Sequence, residues 1–100
     1  MFKHIVGWKL KETAGGRSKQ ENALLMRERF EEIANMIDGL RHLEFGIDVI
    51  HSETSMDVVL YTEFENRAAY DAYDAHPAHK ALVDFIKPLR DERRAIDYEV

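Results

Sequence analysis

Three side chains able to move protons fall, by their spacing, toward one apolar layer: His4, Tyr73 and His79. His4 stands between Phe2 and Val6 on the apolar side of an alternating segment. An imidazole turned inward there needs a hydrogen-bond partner. His79 is followed at three, four and seven residues by Leu82, Val83 and Ile86, so it shares their helical face, while Lys80 and Asp84 point away. Tyr73 lies near the apolar side of its helix beside Ala69 and Ala72. Tyr70 falls nearer the polar boundary, with Asp71 and Asp74 on the solvent side. Titratable groups in poorly hydrated surroundings are what general acid/base chemistry on an organic substrate requires. Trp8, Phe30, Leu82 and Val83 are the expected apolar walls. The same histidines also have a structural reading, as core residues that fix helix position through hydrogen bonds. Periodicity leaves both readings open.

Other constellations carry less. His76-Pro77-Ala78-His79 lacks the glutamate of H-E-x-x-H, and its proline breaks the helical spacing that two metal-ligating histidines need. Gly15-Gly16 precedes a helix, but no G-x-x-x-x-G-K pattern follows. No metal and no cofactor are expected. His42 and His51 are expected on the surface, and the run Arg90-Asp91-Glu92-Arg93-Arg94 reads as a solvated, self-paired stretch.

The elements that must position these residues follow in the order strand, helix, strand, strand, helix, strand. Met1 to Lys11 alternates, with Phe2, His4, Val6, Trp8 and Leu10 on one face. Thr13-Ala14-Gly15-Gly16 breaks that pattern. Ser18 and Glu21 form a capping-box pattern, S-x-x-E, opening a helix expected to run to about Asp38, with Gly39 as its C-terminal cap. Ala23, Met26, Phe30, Ile33, Ala34 and Ile37 form its apolar stripe; Leu24 and Leu25 stray from it. Leu43–Ile50 and Met56–Phe64 alternate as a pair of strands around a polar hairpin loop, His51–Ser55. Asn66 caps a helix to about Ala75. Pro77 starts a further helical segment to about Ile86, and Ala95–Val100 is the last strand.

One antiparallel sheet with helices on one side makes a two-layer α+β domain spanning residues 1–100. The first and third strands are expected at its centre. Ile5, Val59 and Tyr61 then lie on the face away from the helices, which a two-fold partner would cover, so a homodimer is expected.

Composition bounds the function. The chain has 100 residues, no cysteine and a net charge of −5, which disfavours nucleic-acid binding and excludes thiolate chemistry. The start MFKHIVGWKL has no signal-peptide pattern, and no apolar run is long enough to span a membrane, so a cytoplasmic protein is expected.

Several segments are similar to one known family. His4-Ile5-Val6-x-Trp8-Lys9-Leu10-Lys11, Asp57-Val58-Val59-Leu60-Tyr61-x-Glu63-Phe64, Tyr73-x-x-His76-Pro77-Ala78-His79 and Asp97-Tyr98-Glu99-Val100 resemble, in order, the Dabb domains, a stress-responsive dimeric α/β-barrel family. Gly7 stands where many members carry a larger apolar residue. The resemblance implies a ferredoxin-like β-α-β-β-α-β subunit whose sheet pairs with a second copy into a barrel. It also implies a protein of a family in which most bacterial members have no assigned activity. A plant branch acts as polyketide cyclases, and its acid/base histidine, assisting tyrosine and cavity-lining strand histidine correspond to His79, Tyr73 and His4. Three functions are therefore weighed. One is a barrel that binds a small aromatic or β-keto compound, or is a purely structural oligomer. The second is a cofactor-independent lyase or cyclase using His79 and Tyr73. The third is a cofactor-free monooxygenase. The residues alone do not choose between enzyme and non-enzyme.

Overall fold

Strict alternation produces β1 (Phe2–Leu10): Phe2, His4, Val6, Trp8 and Leu10 are all buried, and the residues between them are half-buried. In the computed structural model, which describes residues 1–100, a two-residue hairpin follows, β2 (Thr13–Ala14) with β3 (Arg17–Ser18). The chain continues through α1 (Lys19–Ala34), β4 (Leu40–Ile47), β5 (Val58–Phe64), α2 (Arg67–Ala75), α3 (Pro77–Ile86), a 3₁₀ turn at Lys87–Leu89 and β6 (Arg90–Glu99). The main sheet runs β4-β5-β1-β6, antiparallel throughout. β1 and β5 are central, and Val6 pairs with Leu60 on one side and Ala95 on the other. No helix is long and apolar enough to cross a membrane.

Local chemistry sets the helix starts. Ser18 and Glu21 close both bonds of the capping box. The Asn66 side chain accepts from the Ala69 amide at 2.9 Å. The stripe residues Ala23, Met26, Phe30 and Ile33 of α1 are buried against the sheet, in one core with Val6, Trp8, Leu60, Phe64, Tyr73, Leu82 and Ile86.

Five boundaries differ from the sequence reading. α1 ends at Ala34, where the Asn35 amide bonds back to Glu32 and Ile33; Gly39, at φ +80°, shapes the turn into β4 instead of capping the helix. β4 begins at Leu40 rather than Leu43, because a register shift between Leu40 and His42 breaks the alternation that would reveal it. Val49 and Ile50, read as strand, stand exposed in the following loop, and β5 starts at Val58. β6 starts at Arg90, so the charged run is the first half of an edge strand. An edge strand tolerates such charge because solvent reaches it. Arg94 does pair with Glu92 at 2.8 Å, but Arg90 and Arg93 have no such partner.

On the sheet face away from the helices, Gly7 leaves a notch that the Met56 side chain fills. A Cβ at Gly7 would stand 3.0 Å from Met56 Cγ.

Candidate functional site

The helix break at His76-Pro77 builds the corner of the site. An α-helix ends with backbone carbonyls that have no partner in the next turn. Pro77 begins α3 in place of a continued α2, and both neighbouring histidines answer the break. The His76 ring, through Nδ1, accepts from the Ala78 amide at 3.0 Å and so caps the N-terminus of α3. The His79 ring reaches back to the open end of α2, with Nδ1 3.1 Å from the Asp74 carbonyl oxygen. A carbonyl only accepts, so Nδ1 of His79 carries the proton. Nε2 is then the basic nitrogen of the neutral ring, and it makes no hydrogen bond within the chain. Burial lowers the His79 pKa below the ordinary imidazole value, outweighing the bond to Asp74, which acts the other way; the His4 and Arg93 charges lower it further. The ring is therefore a neutral base at pH 7.

Tyr73 packs against that base, with ring centroids 4.3 Å apart. It is 1% exposed, and its hydroxyl is the buried side-chain polar atom that finds no hydrogen-bond partner in the protein. Burial pushes its pKa far above the ordinary phenol value, with Tyr70 and Asp74 reinforcing the shift. The phenol stays protonated at every working pH and can only act as a neutral O–H.

His4 completes the group from the sheet side. Its Nδ1 donates to the carboxylate of Asp97, the residue opposite it on β6. That carboxylate is the partner an inward imidazole requires. The Thr62 hydroxyl donates to the His4 backbone carbonyl at 2.7 Å. Tyr70 is closer to the site than its place near the polar boundary suggested: its ring stacks on Phe2 at 4.7 Å and lies 4.9 Å from His4.

These groups share one cavity of about 300 Å³ between sheet and helices. His4, Tyr73 and His79 line it, as do Trp8, Phe30, Leu82 and Val83. All seven residues singled out in the sequence thus face one space. Trp8 and Phe30 pack closely, 5.7 Å between ring centroids, yet the space beside His79 stays open. Arg90 and Arg93 also line it, and neither was singled out, because a run of five charged residues hides the alternation of β6. The pairing of Trp8 with Arg93 shows the signal that was available: every second residue from Asp97 through Ala95 to Arg93 continues the inward face. A larger groove, about 850 Å³, opens between α1 and the β4–β5 loop. Its lining is mainly polar, and its central charges engage one another: Lys19 lies 3.1 Å from Glu12 and 3.3 Å from Asp57.

The family model of the Stress responsive A/B Barrel Domain, Dabb, matches residues 2–100, and the chain belongs to that family. No curated protein matches the sequence significantly. Among solved structures, a dimeric protein of unknown function with a ferredoxin-like fold from Bacteroides fragilis is 28% identical, with a TM-score of 0.86 over 99% of this chain and 95% of that one. A Dabb family protein with a ferredoxin-like fold from Mesorhizobium loti is also 28% identical, with a TM-score of 0.76 and the same coverage of both chains. The hydroxynitrile lyase of Passiflora edulis is 13% identical, at a TM-score of 0.82 over 99% of this chain and 92% of that one; it shares the fold.

Proposed function

We propose that this Dabb-family chain is a homodimeric small-molecule protein whose cavity performs cofactor-independent acid/base chemistry on a carbonyl compound. One observation carries the reading: a buried O–H without a protein partner belongs to a ring packed on an imidazole whose basic nitrogen is unpaired, and both residues line one cavity. Buried polar groups are ordinarily satisfied within the fold. One left open in a cavity wall is suited to a ligand oxygen.

In the proposed reaction, Nε2 of His79 removes a proton from the carbon beside the carbonyl. The electron pair of that C–H bond moves into a C=C bond, and the carbonyl π pair moves onto oxygen. The Tyr73 O–H donates a hydrogen bond to that oxygen as its charge grows. His4, held by Asp97, lines the opposite wall and orients the substrate. Reversal of the same step returns the proton. Base assistance of this kind contributes about 10²–10⁴-fold, and a preorganised donor to the developing oxyanion about 10²–10³-fold.

The homodimer rests on the uncovered sheet face. Ile5, Val59, Tyr61, Ile96 and Tyr98 share the face opposite the helices, and Val59 and Ile96 are 39% and 59% exposed in the single chain. The Bacteroides fragilis relative is described as dimeric. A second copy meeting this face through a two-fold axis would bury the patch.

The test is exchange of the methyl protons of acetophenone for deuterium, followed by NMR. The wild-type protein should accelerate exchange over buffer and His79→Ala should abolish that acceleration, with both proteins of equal size in solution. Equal exchange by wild type and variant would overturn the reading.

A further inference from the structure

The inference deepens the proposed function and rests on it: it concerns what kind of molecule the same cavity accepts. In a chain of net charge −5, the mouth of the cavity carries two cations, Arg90 and Arg93. Neither makes an ion pair or a side-chain hydrogen bond, whereas Arg17, Arg41, Arg67 and Arg94 do. Arg93 lies on the inward side of β6, opposite Trp8, so its side chain leaves the strand toward the cavity rather than toward the uncovered sheet face.

The carboxylates nearby do not neutralise this pair. Asp97, two inward positions along β6, is engaged by His4. Asp74 is the one acid in the cavity lining, and its carboxylate lies 4.0 Å from His79 Nδ1. Apart from the histidines, the lining holds two positive charges and one negative. The positive charge of Arg93 acts to lower the pKa of Tyr70, Tyr73 and His79 alike.

The cavity is therefore polarised from end to end. Its walls are mainly apolar, with Tyr73 among them. Its mouth offers unpaired guanidinium groups. A guanidinium presents paired N–H donors that match a carboxylate, and a volume of about 300 Å³ stands at the small end of ligand sites. We propose that the cavity takes a small organic carboxylate, an aromatic or keto acid, with its apolar body against Trp8, Phe30 and Leu82 and its carboxylate held at the mouth by Arg93. Arg90 adds a second positive charge. The ligand's keto oxygen then points inward, to Tyr73.

The experiment compares para-acetylbenzoate with para-acetylbenzamide, which share shape and keto group and differ in charge. Binding is measured by calorimetry to wild type, Arg93→Met and Arg93→Lys. Wild type should bind the acid about tenfold more tightly than the amide. Arg93→Met should bring the two within about twofold, and Arg93→Lys should restore part of the preference. Raising the salt concentration should weaken the acid alone, a reading that needs no variant. Equal binding of acid and amide by wild type overturns the anion assignment while leaving the acid/base reading intact. A preference that survives in Arg93→Met overturns the role of Arg93. Binding of neither compound overturns both readings, a result distinct from His79-independent exchange of acetophenone, which overturns the chemistry alone.

Discussion

Replacing Tyr73 with phenylalanine separates stability from chemistry in opposite directions. The ring of Tyr73 is buried at 1% exposure among Phe64, Tyr70 and His79, and phenylalanine keeps that packing. The hydroxyl alone is lost, and it has no partner in the protein. A buried hydroxyl without a partner costs about 1–3 kcal/mol; at the low end of that range, its removal stabilises the fold by about 1 kcal/mol. For a domain of this length, that raises Tm by about 4–8 °C. The carbonyl oxygen of the substrate loses its donor, so the catalysed exchange should fall by about 10²–10³-fold. Differential scanning calorimetry at a fixed protomer concentration gives the first number, since an oligomer's Tm depends on concentration. Deuterium exchange into acetophenone gives the second. A Tm that falls in Tyr73→Phe would show that the hydroxyl is satisfied in the resting protein, and the argument for its place in the site would go with it. A more stable variant with undiminished exchange would leave the hydroxyl a structural flaw rather than a functional group.

Three further outcomes follow from the same geometry. Because burial holds the folded-state pKa of His79 below the ordinary value, the unfolded chain takes up a proton first as pH falls through ~6.5. His79 therefore makes stability fall with pH below ~6.5, by up to about 1.4 kcal/mol per pH unit, and leaves it flat above; urea melts of wild type and His79→Gln should diverge in slope only in that acid window. Asp97→Ala strands the His4 imidazole, which is 4% exposed, and should cost about 1–3 kcal/mol; an unchanged urea midpoint would mean the pair contributes nothing. Ile96→Lys puts a charge on the uncovered sheet face beside Ile5 and should convert the dimer to monomer in light scattering, whereas an unchanged mass would place the interface elsewhere.

Most of the fold is legible in the sequence because two of its signals are local. The period of β1, the caps Ser18 and Asn66, and the helix-starting Pro77 act through neighbouring backbone groups, and the structure shows each one where the residues place it. The inward turn of His4 and His79 is legible for the same reason: a strand period and a helix period each fix a side chain's face. Less is legible where pairing partners decide. β4 begins three residues earlier than its alternation shows because a bulge shifts its register against β5. β6 opens with five charged residues that read as a solvated, self-paired stretch, and β1 holds them in the sheet regardless. Arg93 was hidden by that same override, since its face is set by the partner strand. Tyr70 sits on the edge of its helix's apolar side, and only the position of Phe2 in the neighbouring strand decides that it stacks inward.

The structural and functional readings of His79 are not alternatives. As a structural residue it must satisfy a half-buried polar ring, and it does so by covering the Asp74 carbonyl that the Pro77 break leaves open. That bond uses one nitrogen and, because its partner can only accept, fixes which one carries the proton. The structural duty thus leaves Nε2 unprotonated and unpaired beside Tyr73. His76, one turn earlier, meets the same break in the opposite sense. Its Nδ1 accepts from an amide, so in its neutral form the proton resides on Nε2 and its one basic nitrogen is already engaged. Two histidines three residues apart are held in opposite tautomers by the two ends of one broken helix. That difference, rather than the presence of histidine, makes His79 the base of the proposed reaction and His76 a cap.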